Sequence, residues 1–134
     1  PGGFEVVFSK AEQQLQAANT VPDAEDIAAF KYFESHDPNL AIAMLRVQIE
    51  RRLRIIAENV MLEPDPRGRP RALRELTDAL GERGAISKEA VTLLRDLMPV
   101  MNEAVHGVEV GSRGAEFALN YGPQMLSLLR TPET

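Results

Sequence analysis

The chain has 134 residues, 44% hydrophobic and 26% charged: the size and make-up of one globular domain, too short for two independent cores and too apolar for a disordered tail. Fifteen Lys and Arg against twenty Asp and Glu leave a net charge of −5, which argues against a nucleic-acid binder that relies on overall positive charge. With no Cys there is no disulfide framework, thiolate zinc site or cysteine nucleophile, and two His carry all the imidazole chemistry available.

Nothing approaches the ~18 to 20 uninterrupted apolar residues of a membrane span, and no charged-then-apolar signal layout occurs, so a soluble chain is expected. The start Pro1-Gly2-Gly3 without Met fits a trimmed start or a fragment of a longer protein. In Phe4-Glu5-Val6-Val7-Phe8 the alternation of Phe4, Val6 and Phe8 predicts a short strand or extended arm. Residues 11–20, rich in Gln and Ala, read as a weak helix or linker, so 1–20 is an arm and linker and 21–134 a single helical domain.

Asp23 is the expected N-cap of a first helix with the stripe Ile27, Phe30 and Phe33. Asp37-Pro38 gives a second start, an N-cap followed by Pro where its missing N–H costs nothing. The helix it opens carries the clearest periodicity in the chain: Ile42, Leu45, Ile49, Leu53, Ile56 and Val60. Three Pro and one Gly within residues 64–70 predict a surface loop. Leu73, Leu76 and Leu80 mark a short helix closed by Gly81. Ser87 caps a longer one, with Glu89 in its first turn and the stripe Val91, Leu94, Met98, Met101 and Val105. Pro99 predicts a kink or break near Leu97, and Gly107 ends the helix. After a loop over 107–114, a last helix turns Ala118, Tyr121, Met125 and Leu128 or Leu129 inward, with a bend at Gly122-Pro123. The economical architecture is an all-α up-and-down four-helix bundle with an extra N-terminal helix and a short extended or β arm.

Two polar pairs flank two of the apolar stripes. Arg46 and Glu50 stand four apart, each one position after Leu45 and Ile49; Asn102 and His106 repeat the arrangement after Met101 and Val105. If these helices pack together, the four side chains meet in one partly buried network. Such a network either satisfies itself and fixes helix register, or sets His106 as general acid or base beside an Arg46 that steadies a phosphate.

Positive charge is concentrated in residues 46–74, with eight Arg against Glu50, Glu58, Glu63 and Asp65, a local excess of four that leaves −9 for the rest. Arg51, Arg54, Arg67, Arg69, Arg71 and Arg74 are the anion-binding candidates for RNA, an anionic membrane surface or an acidic partner. The aromatics that would stack on bases are missing from this stretch. His36, in Ser35-His36-Asp37-Pro38, reads as a surface residue at a helix junction. No phosphate loop, His-Glu-x-x-His or calcium loop occurs, so no metal, nucleotide or other cofactor is predicted.

Asn102-Glu103-Ala104-Val105-His106-Gly107, at the end of a helix and followed by a loop and one more helix, resembles the closing motif of the HEPN superfamily. Leu45-Arg46-Val47-Gln48-Ile49-Glu50-Arg51-Arg52-Leu53 is similar to the corresponding earlier helix. The resemblance covers about residues 38–130 and looks like the uncharacterised bacterial HEPN-like domains that follow membrane helices or stand beside enzymatic domains. It implies a four-helix bundle that homodimerises; active members are metal-independent ribonucleases with an Arg, often followed directly by a polar residue, and a His after four to six intervening positions. His106 matches the His and Asn102 the polar residue. The positions of the Arg hold Met101, Val100 and Pro99, and Arg95 lies too far upstream. Losing that guanidinium removes several kcal/mol, roughly, of transition-state stabilisation. The resemblance therefore implies a non-catalytic interaction or sensor module of a larger bacterial cytoplasmic protein, with the arm suggesting a tether to the inner membrane. The alternatives are a metal-independent endoribonuclease using His106, Asn102 and Arg46, and an anion-binding module built on the Arg-rich region.

Overall fold

The structure, a computed structural model, describes residues 2–18, 21, 22, 24–31 and 38–129. They form α1 (Gly2–Ala18), α2 (Ala24–Lys31), α3 (Pro38–Asn59), α4 (Leu73–Arg83), α5 (Lys88–Val105) and α6 (Gly111–Leu128), and among the described residues there is no strand. The protein is all-α. α1, α5, α3 and α6 pack in a closed ring, each against the next; α4 lies on α3 and α5, and α2 on α6.

The expected extended arm at residues 4–8 is instead the first half of α1. Five residues are too few to separate period two from a helix; the stripe that decides is Phe8, Ala11 and Leu15, all buried in the one core cluster. Phe8 meets Phe117 of α6 at 5.2 Å between ring centroids. Beside it Arg113 donates to Glu12 Oε2 at 2.6 Å, and that carboxylate raises the guanidinium's pKa further. The stretch read as a weak helix or linker is thus helix through Ala18 and contributes a wall of the core.

In α3 the predicted stripe Ile42, Leu45, Ile49, Leu53 and Ile56 is fully buried, and Pro38 occupies the first helical position. In α2 the expected stripe is reversed at its start: Ile27 is 40% exposed and Asp26 only 6%. The reason is an ion pair. Arg52 Nη2 stands 3.0 Å from Asp26 Oδ1, Ser127 Oγ donates to Asp26 Oδ2 at 3.1 Å, and Arg52 Nη1 donates to the Leu126 carbonyl, so α2, α3 and α6 are joined through one carboxylate. Asp23, Phe33, His36 and Asp37 lie outside the described residues.

Three helices end in the same way. At α4, Gly84 N–H reaches Gly81 O and Ala85 N–H reaches Leu80 O; at α5, Gly107 and Val108 repeat this on Ala104 and Glu103; at α3, Met61 and Leu62 repeat it on Glu58 and Ala57. This is the Schellman arrangement, whose central residue takes positive φ. Gly84 (79°) and Gly107 (87°) do so freely, and Met61 (53°) does so with a side chain. Gly84, not Gly81, therefore closes α4. Gly81 serves packing instead. A Cβ there would stand 2.6 Å from Val91 Cγ2, so its bareness sets how closely α4 approaches α5.

Ser87 caps α5 as predicted, its side chain accepting from Ala90 N–H at 3.1 Å. Neither internal proline breaks its helix: α5 runs through Pro99 and α6 through Pro123. Each removes one helical hydrogen bond, but the turns on either side stay helical because Leu97, Met98, Val100 and Met101 around the first, and Met125 and Leu126 beyond the second, are buried. α6 also starts earlier than expected, at Gly111, and Gly114 sits inside it at a close crossing where a Cβ would meet Val110, Ile42 and Phe8 within 3.4 Å. Val105, expected inward, is 47% exposed, because the buried stripe of α5 passes through Leu97, Met101 and Ala104 and leaves the next position facing out.

Candidate functional site

α3 and α5 pack against each other, and the contact brings three of the four predicted polar residues into one network. Arg46 Nε donates to Asn102 Oδ1 at 3.1 Å, and Arg46 Nη1 donates to Glu50 Oε1 at 3.3 Å. Glu50 Oε2 is held separately by Arg54, through Nε at 3.2 Å and Nη2 at 2.7 Å. His106 is not part of it. It forms the C-cap of α5, its side chain is exposed, and the structure gives the imidazole no hydrogen bond among the described residues.

The turn after His106 is fixed by a residue that periodicity did not single out. Asn39, one position into α3, donates through Nδ2 to the Val108 carbonyl at 2.7 Å and accepts from Val110 N–H at 3.0 Å. With Arg46 two turns further along α3, the seam with α5 is tied at two points. The signal was present, since residues 39, 43, 46, 50 and 54 share one edge of a helix, but a lone Asn near a helix start reads equally well as solvated.

The Arg-rich region is dispersed rather than gathered. Arg52 is used in the Asp26 pair; Arg54 is engaged by Glu50 and the Arg71 carbonyl. Arg71 donates to the Glu63 carbonyl, and Arg67 is shared between Asp65 and Glu75. Asp65 itself is buried. It accepts from Arg67 N–H at 2.9 Å, and this bond, helped by the Arg67 guanidinium and the charge of Arg71, holds its carboxyl below the usual pKa of 3.8 despite burial. Among the described residues Arg51, Arg69 and Arg74 have no side-chain hydrogen bond or ion pair, and they do not form one surface: Arg69 borders a cleft under the 64–70 loop, whereas Arg74 borders another.

That second cleft lies among α3, α4 and α5. Its volume is about 330 Å³ and its walls are Arg46, Ala72, Leu73, Arg74, Met98, Pro99 and Asn102. One wall is thus cationic and amide-bearing, the other apolar. Among the described residues no three His, Cys, Asp or Glu side chains gather as metal ligands, and no helix is long and apolar enough to cross a membrane. No family model, curated protein or solved structure matches the chain.

Proposed function

We propose that the chain is a non-catalytic HEPN-like four-helix bundle, with its core at about residues 38–130, acting as an interaction or sensor module of a larger bacterial cytoplasmic protein and associating as a homodimer. The observation that carries this reading is the outer face of α3. Opposite its buried stripe, Leu40, Val47 and Ile55 are 42%, 38% and 53% exposed, with half-buried Met44 between them. At about 100° per residue these four positions fall within an arc of about 80°. These apolar side chains, with Arg51 and Glu58 in the same arc, leave α3 a second partly apolar face.

The stripe is self-complementary about the midpoint of Val47 and Gln48. Two antiparallel copies of α3 would set Leu40 against Ile55 of the second copy and Met44 against its Arg51. The two Arg51 side chains would then stand about 10 Å apart along the helix axes, beyond the screening length at physiological salt. Light scattering should give a dimer, and Val47→Glu, on the exposed face, should give a folded monomer. A monomeric wild type up to about 0.5 mM, the limit of weak self-association, overturns the reading.

The non-catalytic part rests on His106. A general acid or base needs an imidazole whose tautomer and direction are set by a partner, and here Asn102 spends its carbonyl oxygen on Arg46. RNA incubated with the protein in chelator tests this: cleavage that His106→Ala abolishes would replace the interaction module with a ribonuclease.

A further inference from the structure

We infer that the cleft among α3, α4 and α5 binds a small phosphate monoester, its phosphoryl group held by Arg46, Arg74 and Asn102 and its organic part lying on Leu73, Met98 and Pro99. This inference does not depend on the family reading or on self-association.

The charge balance favours a dianion. Glu50 is the acid bonded to Arg46, and it is already gripped twice by Arg54, so it stays neutralised when Arg46 turns part of its fork elsewhere. Arg46, Arg54 and Glu50 together leave one positive charge, and Arg74 adds a second. A phosphate monoester carries about −1.5 to −2 at neutral pH. Glu75, next to Arg74 in the chain, is engaged through both oxygens: its Oε1 accepts from Ala72 N–H at 3.1 Å, and its Oε2 faces Arg67 at 3.7 Å.

The donors are also in place. Arg46 is oriented by its Nε bond to Asn102, which leaves Nη2 without a hydrogen bond among the described residues. Asn102 uses its oxygen on Arg46 and keeps its Nδ2 protons. Arg74 is exposed, and no partner among the described residues competes for it. A guanidinium offers two parallel N–H groups to a phosphate, a match that an ammonium lacks. The first residues of α4, Leu73 and Arg74, also line the cleft, and the Glu75 carboxylate that accepts from Ala72 N–H already covers the positive end of that helix.

The apolar wall distinguishes a monoester from free phosphate. Pro99, Met98 and Leu73 offer nothing to inorganic phosphate, but they offer contact area to an aryl or alkyl group one bond from the phosphoryl oxygen. The volume, about 330 Å³, suits a body no larger than a single ring or nucleoside.

The test is titration of the ¹⁵N-labelled protein with phenyl phosphate, inorganic phosphate and phenol, following backbone amides and arginine Nε–H signals. Phenyl phosphate should saturate in the millimolar range or tighter, shifting Ala72, Arg74, Asn102 and Arg46 Nε–H; inorganic phosphate should move the same signals more weakly, and phenol should leave the Arg46 Nε–H in place. Arg74→Ala, an exposed position that should not affect folding, should weaken phenyl phosphate at least about fivefold, as should Arg46→Lys, which keeps the charge and loses the fork. Arg95→Ala, whose guanidinium pairs with Asp78, should change it less than about twofold. Binding that Arg74→Ala leaves unchanged, or no saturation by about 20 mM, overturns the proposal; equal affinity for phenyl phosphate and inorganic phosphate overturns the monoester in favour of a bare anion site.

Discussion

Arg46 Nε and Asn102 Oδ1 lie 3.1 Å apart although 56 positions separate them in the chain. The bond crosses the seam between α3 and α5, and it joins the Arg46, Glu50 and Arg54 ladder of α3 to Asn102 of α5. Because Arg46 is also bonded to Glu50 four residues on, each helix limits the rotamers available to the other.

The strength of that tie is measurable. Asn102→Ala should lower unfolding free energy by about 0.5 to 1 kcal/mol, as expected of a partly solvated hydrogen bond to a charged group. In a double-mutant cycle with Arg46→Ala, the coupling read from urea denaturation should be about 0.5 kcal/mol or more. Strict additivity would mean that the bond contributes nothing to the seam.

A larger loss is expected at the carboxylate shared by α2, α3 and α6. Asp26→Ala strips Arg52 of its ion-pair partner in a half-buried setting and should cost about 2 to 3 kcal/mol, below the value for a fully buried pair because Arg52 is partly solvated. Ser127→Ala removes one bond to the same carboxylate and should cost about 1 kcal/mol. Thermal and urea unfolding would show both, and a loss at Asp26 no larger than at Ser127 would contradict the ion pair's role.

Gly81 gives a test whose sign reverses. Alanine is favoured over glycine inside a helix by about 1 kcal/mol, yet a Cβ at 81 would stand 2.6 Å from Val91 Cγ2, and a β-branched side chain on a helix cannot swing clear. Gly81→Ala alone should therefore destabilise, by about 1 kcal/mol net of the propensity gain. In a Val91→Ala background the same substitution should stabilise, read as a rise in Tm over Val91→Ala itself.

Asp65 predicts a pH dependence. Its carboxyl is held below 3.8, first by the Arg67 N–H and then by the guanidinium and the charge of Arg71. A carboxyl whose folded pKa is depressed contributes stability that is complete above its unfolded pKa and is lost as pH falls through the folded one. The stability difference between wild type and Asp65→Asn should be constant at neutral pH and shrink below about pH 4. A difference that persists unchanged at pH 2 would show that the charge is not what Arg67 holds.

How much of this could be read beforehand depended on how local each cause was. The burial of Ile42, Leu45, Ile49, Leu53 and Ile56, the start of α3 at Pro38, the Ser87 cap and the stop at Gly107 all follow from neighbours within one or two turns, and periodicity and turn chemistry displayed them directly. The extended reading of residues 4–8 failed because it rested on a window shorter than two helical turns, and α5 is not broken at Pro99 because packing on both sides outweighs one missing hydrogen bond.

Amino-acid order by itself determined the all-α class, the clearest core faces and the juxtaposition worth testing between Arg46 and Asn102. Tertiary structure alone decided which arginines are spent and which remain available, that Asp26 is buried while Ile27 is not, and that the cleft beside Asn102 opens toward Arg74 rather than His106. A helix displays its own faces through a repeat of 3.6 residues, but the partner of a guanidinium at the end of a flexible stem is set by where another helix crosses, and that crossing is fixed by small contacts such as Val91 on Gly81 or Phe8 on Gly114, which no local pattern encodes.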